Sequence, residues 1–166
     1  AVPPLETWLS GGGRAALGSD SRLTASGSLL DELATLLQLG IGAAEALRLV
    51  TVYAARIFDL PDEGHLAPGA RGNLIVIRAA EDPVQALCTS KRSDIALVMH
   101  DGKVQIATPE LAERFKWCSW ENALLDGEDR CIAIELAQQI RNSKLKETGL
   151  ILKDGPRRKW FWSLHG

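Results

Sequence analysis

Arg14-Ala-Ala-Leu-Gly-Ser-Asp-Ser21 is an apolar run that stops abruptly at Gly18-Ser19-Asp20, and Arg22-Leu-Thr-Ala-Ser-Gly27 follows it. A short apolar run closed by glycine and small polar residues reads as a buried strand, which puts Asp20 at its carboxyl end. In parallel α/β folds that end is where chemistry is done. Upstream, Leu5, Trp8 and Leu9 share one face of a short helix, and Gly11-Gly-Gly13 stops it. Downstream, Ser26 or Ser28 is placed to cap a helix whose Leu29, Leu30, Leu33, Leu36 and Leu37 recur at helical spacing. Asp31 and Glu32 fall in its first turn, where the helix dipole favours acids, and Gly40 and Gly42 end it. A second helix is expected from Ala43 to about Phe58. Its apolar residues cover so much of the surface that it should pack on more than one side. Helix, glycine stop and buried strand make half of a repeating β/α unit.

Composition bounds what such a unit can belong to. The chain has 166 residues, 46% hydrophobic and 24% charged, which is ordinary for a globular protein. Nineteen Lys and Arg against 21 Asp and Glu leave a net charge of −2, so electrostatics point to no nucleic-acid partner and no membrane surface. No apolar run approaches the roughly 20 residues needed to span a bilayer. Cys88, Cys118 and Cys131 are odd in number and lack Cys-x-x-Cys spacing, which disfavours a disulfide framework and a zinc ribbon and fits a reducing, cytoplasmic setting. The cysteines read as apolar fillers. His65, His100 and His165 form no His-x-His pair and read as loop, turn and terminal residues.

The character changes near Leu60 to Glu63. Asn73-Leu-Ile-Val-Ile-Arg78 is a dense β-branched strand. Ile95–His100 and Lys103–Ala107 flank Asp101-Gly102, a strong hairpin signal because both turn positions need φ > 0. Beyond them the pattern predicts a short helix from Pro109 to about Trp120, a loop at Gly127-Glu-Asp129 and a helix from Cys131 to about Lys146. Two strands, Gly149–Gly155 and Lys159–Leu164, complete the chain. Arg157-Arg-Lys-Trp-Phe-Trp162 interleaves basic and aromatic residues, but in an acidic chain it reads as an edge strand with charged flanks.

The order of these segments resembles the amidohydrolase superfamily. Gly18-Ser-Asp-Ser-Arg-Leu-Thr-Ala-Ser-Gly-Ser-Leu-Leu-Asp-Glu-Leu33 is similar to the region around that family's last barrel strand. Val50-Thr-Val-Tyr-Ala-Ala-Arg-Ile-Phe-Asp-Leu60 resembles its T-x-N-x-A-R-x-L-G-L helix, and Gly64–Ile77 its G-x-I-A-P-G-x-x-A-D-L-V-V-L re-entry into a flanking β-sandwich. Residues 94–109 resemble the sandwich strand pair that follows, so the likeness covers roughly Gly11 to Phe115. It implies an α/β to α+β chain: residues 1–62 as the end of a TIM-like barrel, 63–115 as part of a β-sandwich and 116–166 as an unassigned helix-plus-strand tail. The implied activity is metal-dependent hydrolysis of C–N bonds in a small-molecule substrate, with zinc as the first choice of ion. Asp20 matches the family's aspartate that meets the metal or its water, accepts a proton and passes it to the departing amine. Ser19, Ser21 and Arg22 share its loop and are candidates to face substrate. Asn73 and Val52 depart from the family pattern at positions that read as structural.

A barrel needs eight β/α units and about 250 residues, and only one clear unit is visible. The family's histidines, which precede the last strand, have no counterpart before Asp20. The expectation is therefore a carboxyl-terminal portion, inactive alone, whose partner is the missing amino-terminal part or a second copy. The alternative, from a different class, is a non-catalytic α+β domain whose apolar faces serve assembly.

Overall fold

A computed structural model describes residues 7–8, 11, 14–20, 27–78 and 80–156. The chain divides into two compact units, Ala1–Asn73 with Ile77–Ile95, and Leu74–Val76 with Ala96–Gly166. These units cut across the segments 1–62, 63–115 and 116–166: residues 77–95 pack with the helices, and 96–107 share one sheet with strands drawn from 120–156.

The first unit is helical. Helix α1, Leu29–Gln38, starts at Ser28 as the sequence indicates, and the Asp31 carboxylate accepts from the Ser28 hydroxyl at 2.8 Å. The expected continuous helix from Ala43 to Phe58 is instead two, α2 (Ala43–Val50) and α3 (Val52–Ile57). The break is at Thr51, with φ −124° and ψ −98°. Its hydroxyl donates to the Leu47 carbonyl at 2.7 Å, a back-bond that bends helices. Helix α4, Pro83–Thr89, has no counterpart among the expected elements, although it follows the rules: Asp82 accepts from the Val84 and Gln85 amides and proline takes the first turn. Leu33, Ala46 and Cys88 form the buried centre, with Leu17 packed against it.

Residues 14–20 are not a strand, which corrects the expectation for that stretch. A barrel strand needs a neighbour to exchange ladder bonds. Here the Leu17 amide donates to Leu49 O at 3.1 Å, one of the carbonyls left over at the end of α2. The apolar run is thus held by a helix end, and its side chain still reaches the core.

The second unit is a six-stranded sheet in the order β1-β2-β3-β5-β4-β6, built from Leu74–Ile77, Ile95–His100, Lys103–Ala107, Trp120–Leu125, Glu128–Ala133 and Leu150–Pro156 in chain order. The β2–β3, β3–β5, β4–β5 and β4–β6 pairings are all antiparallel. The expected β2–β3 hairpin is present, with Asp101 at φ 49° and Gly102 at φ 72°. Gly127-Glu-Asp129 is no loop, because Asp126 and Gly127, at φ 52° and 88°, form an equivalent turn and Glu128 already pairs with Leu125. Consequently the short helix α5 covers only Pro109–Ala112, and the following helix α6 starts at Ile134, after Cys131–Ala133 have entered β5. One core of this unit joins Leu97, Val104, Ala107, Cys131 and α5's Ala112, while another joins Ala123, Ile132 and α6's Ala137. Successive residues of β5 serve different cores, as period-2 alternation demands, so that strand is buried at Arg130–Ala133. The predicted strand Lys159–Leu164, the edge reading of Arg157–Trp162, His165 and most of the Leu5–Ser10 helix lie outside the described residues.

Glu121 on β4 is 8% exposed and is gripped through both oxygens by Arg141 of α6, with Nη1 to Oε1 at 2.8 Å and Nη2 to Oε2. The Arg141 hydrogen bonds hold the Glu121 carboxyl below its usual range; burial opposes this and the guanidinium charge adds to it. Arg141→Ala strands a buried carboxylate and is expected to cost about 1–3 kcal/mol, toward the lower end because Arg141 is itself partly exposed. With the folded-state pKa depressed, the pair's contribution is complete above the usual glutamate value of about 4.3 and is lost as pH falls through the lower folded value. Urea unfolding should therefore separate wild type from Arg141→Ala at pH 7 and bring them together in acid. A gap that stays constant would assign Arg141's effect to packing.

Candidate functional site

Asp20 closes the 14–20 stretch as an exposed residue at φ 56°, with a half-buried Ser19 beside it. Ser21 and Arg22 lie outside the described residues. Left-handed backbone is uncommon away from glycine, and aspartate tolerates it better than most. Asp59, Asp101 and Asp126 adopt it too, two of them in hairpin turns, so the conformation is the turn habit of aspartate and carries no chemical signature of its own. What matters chemically is exposure: a carboxylate on an exposed residue can give or take a proton from a bound molecule. It does not make a metal site alone. Zinc takes three or four protein donors, and among the described residues no three His, Cys, Asp or Glu converge.

A cleft of about 880 Å³ opens in the helical unit. Arg14 and Ala15, at the amino end of the same stretch, form part of its wall; α3 adds Tyr53 and Arg56, and the loop after α3 adds Asp59, Glu63 and His65. Asp20 does not line it. Arg71 pairs with Glu63 at 3.3 Å, and the His65 ring Nδ1 lies 3.0 Å from the Glu63 carbonyl oxygen. The Arg14 and Arg56 guanidinium groups make no ion pair or hydrogen bond with any described residue. The motifs that locate Asp20 do not point to this cleft. Its signal in the sequence is the spacing of Arg56, three and four residues beyond Tyr53 and Val52 on one helical face.

Cys88 is buried and Cys118 partly buried. Burial, helped by Asp82, pushes the Cys88 thiol up, and its sulfur lies 3.5 Å from Ala43 O. Burial, helped by Glu135, does the same to Cys118. A reactive cysteine needs the opposite shift, toward thiolate. His100, exposed at the end of β2, lies 3.7 Å from the Asp101 carboxylate, as a turn residue would. Among the described residues no helix is long and apolar enough to cross a membrane.

Comparison with known proteins adds what geometry alone does not. The model of the amidohydrolase family matches residues 2–105, more than half of the chain, ending inside β3. No curated protein and no solved structure matches it. The matched range spans the 14–20 stretch, Asp20, the helices of the first unit and most of the β2–β3 hairpin. By that continuous match the chain belongs to the amidohydrolase family.

Proposed function

We propose that this chain is the carboxyl-terminal part of a metal-dependent hydrolase that cleaves C–N bonds other than peptide bonds, in amides, cyclic amides or amino-heterocycles. The observation that carries the reading is the family match over residues 2–105; in this reading Gly18-Ser-Asp20 stands where the family's last barrel strand ends. In this reading residues 1–62 pack on the rest of a barrel and 63–115 contribute strands to a flanking β-sandwich. Asp20 takes the proton of the attacking water and returns it to the leaving nitrogen, a cycle that needs its carboxylate within reach of the substrate, and its exposure supports that role. Ser19, Ser21 and Arg22 border the substrate. The described residues do not fit a complete zinc site, so any ion needs donors from elsewhere, and no step is assigned to it. The setting proposed is the cytoplasm, and the partner is the amino-terminal part or a second copy.

One observation favours the assembly reading instead. Phe58 and Leu66 of the helical unit are 70% and 80% exposed, with Leu60 also in the open. Large exposed apolar side chains mark interfaces. The two readings separate in one preparation, the protein expressed from its complete reading frame. Elemental analysis is expected to find bound divalent metal, and turnover assays to find hydrolysis of cyclic amides or amino-heterocycles. A metal-free, inert protein that light scattering shows as a stable oligomer would replace the hydrolase reading with the assembly one.

A further inference from the structure

We propose that the cleft bounded by Arg14, Tyr53 and Arg56 binds a small organic anion, a carboxylate or phosphate group carried on an apolar body. Its volume of about 880 Å³ lies within the range typical of small-molecule sites, about 300–1,000 Å³. Val52, Leu60 and Pro61 line part of its wall, a surface for the apolar body. Arg14 and Arg56 line the same cavity from different segments, and neither guanidinium is committed to an anion among the described residues. Each offers a planar fork of donors that matches a carboxylate or phosphate edge. The Tyr53 side chain adds a hydroxyl that can donate to the same group. Of the two acidic residues on the wall, Glu63 is already engaged by Arg71, which leaves two arginines against Asp59 in the lining's charge balance. That balance selects a compact anion. A divalent cation would be repelled by the arginines, and a nucleic-acid strand would meet acidic groups along the cleft and a chain of net charge −2.

This site is distinct from the Asp20 loop. Arg14 stands six residues before Asp20 on one extended stretch, and Asp20 is not among the lining residues. Binding here therefore does not rest on the hydrolase reading.

The test titrates benzoate, phenyl phosphate, inorganic phosphate, benzamide and benzylamine into the 166-residue chain, followed by calorimetry and by NMR shifts. Benzoate or phenyl phosphate is expected to bind saturably, with neutral benzamide and cationic benzylamine weaker by about tenfold or more. Arg14→Gln and Arg56→Gln should each weaken the anion by about tenfold. Arg56→Lys, which keeps the charge and loses the fork, should fall between wild type and Arg56→Gln. Arg48→Gln, at an arginine outside the cleft that pairs with Glu45 at 3.1 Å, should match wild type. Absence of saturable anion binding would overturn the proposal, and so would binding that survives both glutamine substitutions. Inorganic phosphate binding as tightly as phenyl phosphate would remove the apolar subsite and with it the ligand class named here.

Discussion

Asp20→Asn, made in the protein expressed from its complete reading frame, is expected to lower hydrolytic turnover by about 10²–10⁴-fold, the usual loss when a general acid–base is removed. The substitution isolates the proton. Asparagine keeps the size and shape of the side chain, and it tolerates left-handed backbone about as well, so the φ of 56° imposes no new strain. Asp20 is exposed, and a substitution at an exposed position usually leaves the unfolding free energy within about 0.5 kcal/mol of wild type. Asp20→Ala would be less clear, because alanine adds a backbone penalty at positive φ. If Asp20 is the proton carrier, kcat falls while substrate affinity changes little, since the carboxylate acts on the reacting atoms. Turnover equal to wild type would take Asp20 out of the mechanism, and a loss confined to KM would make it a binding residue.

How far residue patterns carry depends on the range over which each feature is decided. The Asp101-Gly102 hairpin and the Ser28 cap are legible because turn and cap preferences act over two to four residues, within view of the sequence itself. Asp126-Gly127 bears the same signal, and it is obscured when Gly127 is grouped with the polar residues after it; Leu124 and Leu125 before it and Cys131 and Ile132 beyond it frame a second hairpin. The apolar character of residues 14–17 is legible and its partner is not. Whether an extended run joins a sheet or docks on a helix end depends on what lies beside it, and Leu17 is bonded to a residue 32 positions away, Leu49. The break at Thr51 turns on a single hydroxyl choosing the Leu47 carbonyl over water, which helical periodicity does not encode. For the candidate sites, the resemblance in motif order singles out Asp20, while the Arg14–Arg56 cleft needed the fold, since its walls are 42 residues apart in sequence.

Gly64→Ala is expected to destabilise the helical unit by about 2–4 kcal/mol, combining the cost of a left-handed non-glycine residue with that of overpacking. Gly64 sits at φ 78°, and a Cβ there would stand 2.7 Å from Thr51 O, 2.8 Å from Thr51 C and 2.9 Å from the Ala55 Cβ. Two of those atoms are backbone. They cannot swing aside, because Thr51 is the joint between α2 and α3 and its carbonyl accepts the Ala55 amide at 2.9 Å. Gly69 provides the control that separates conformation from contact. It has φ 91°, but a methyl group added there would meet nothing within 4 Å, so Gly69→Ala should cost only the backbone component, about 1–2 kcal/mol. Urea unfolding of the three proteins, read through the exchange protection of the Ala55 and Ala46 amides, measures both. Equal losses for the two substitutions would mean that the approach to Thr51 contributes nothing. The larger loss at Gly64 carries a second consequence, because Glu63 and His65 flank it on the cleft wall. Pushing this loop off the α2–α3 joint shifts that wall, so Gly64→Ala should weaken the organic anion even at temperatures where the unit remains folded, while Gly69→Ala should leave its affinity unchanged.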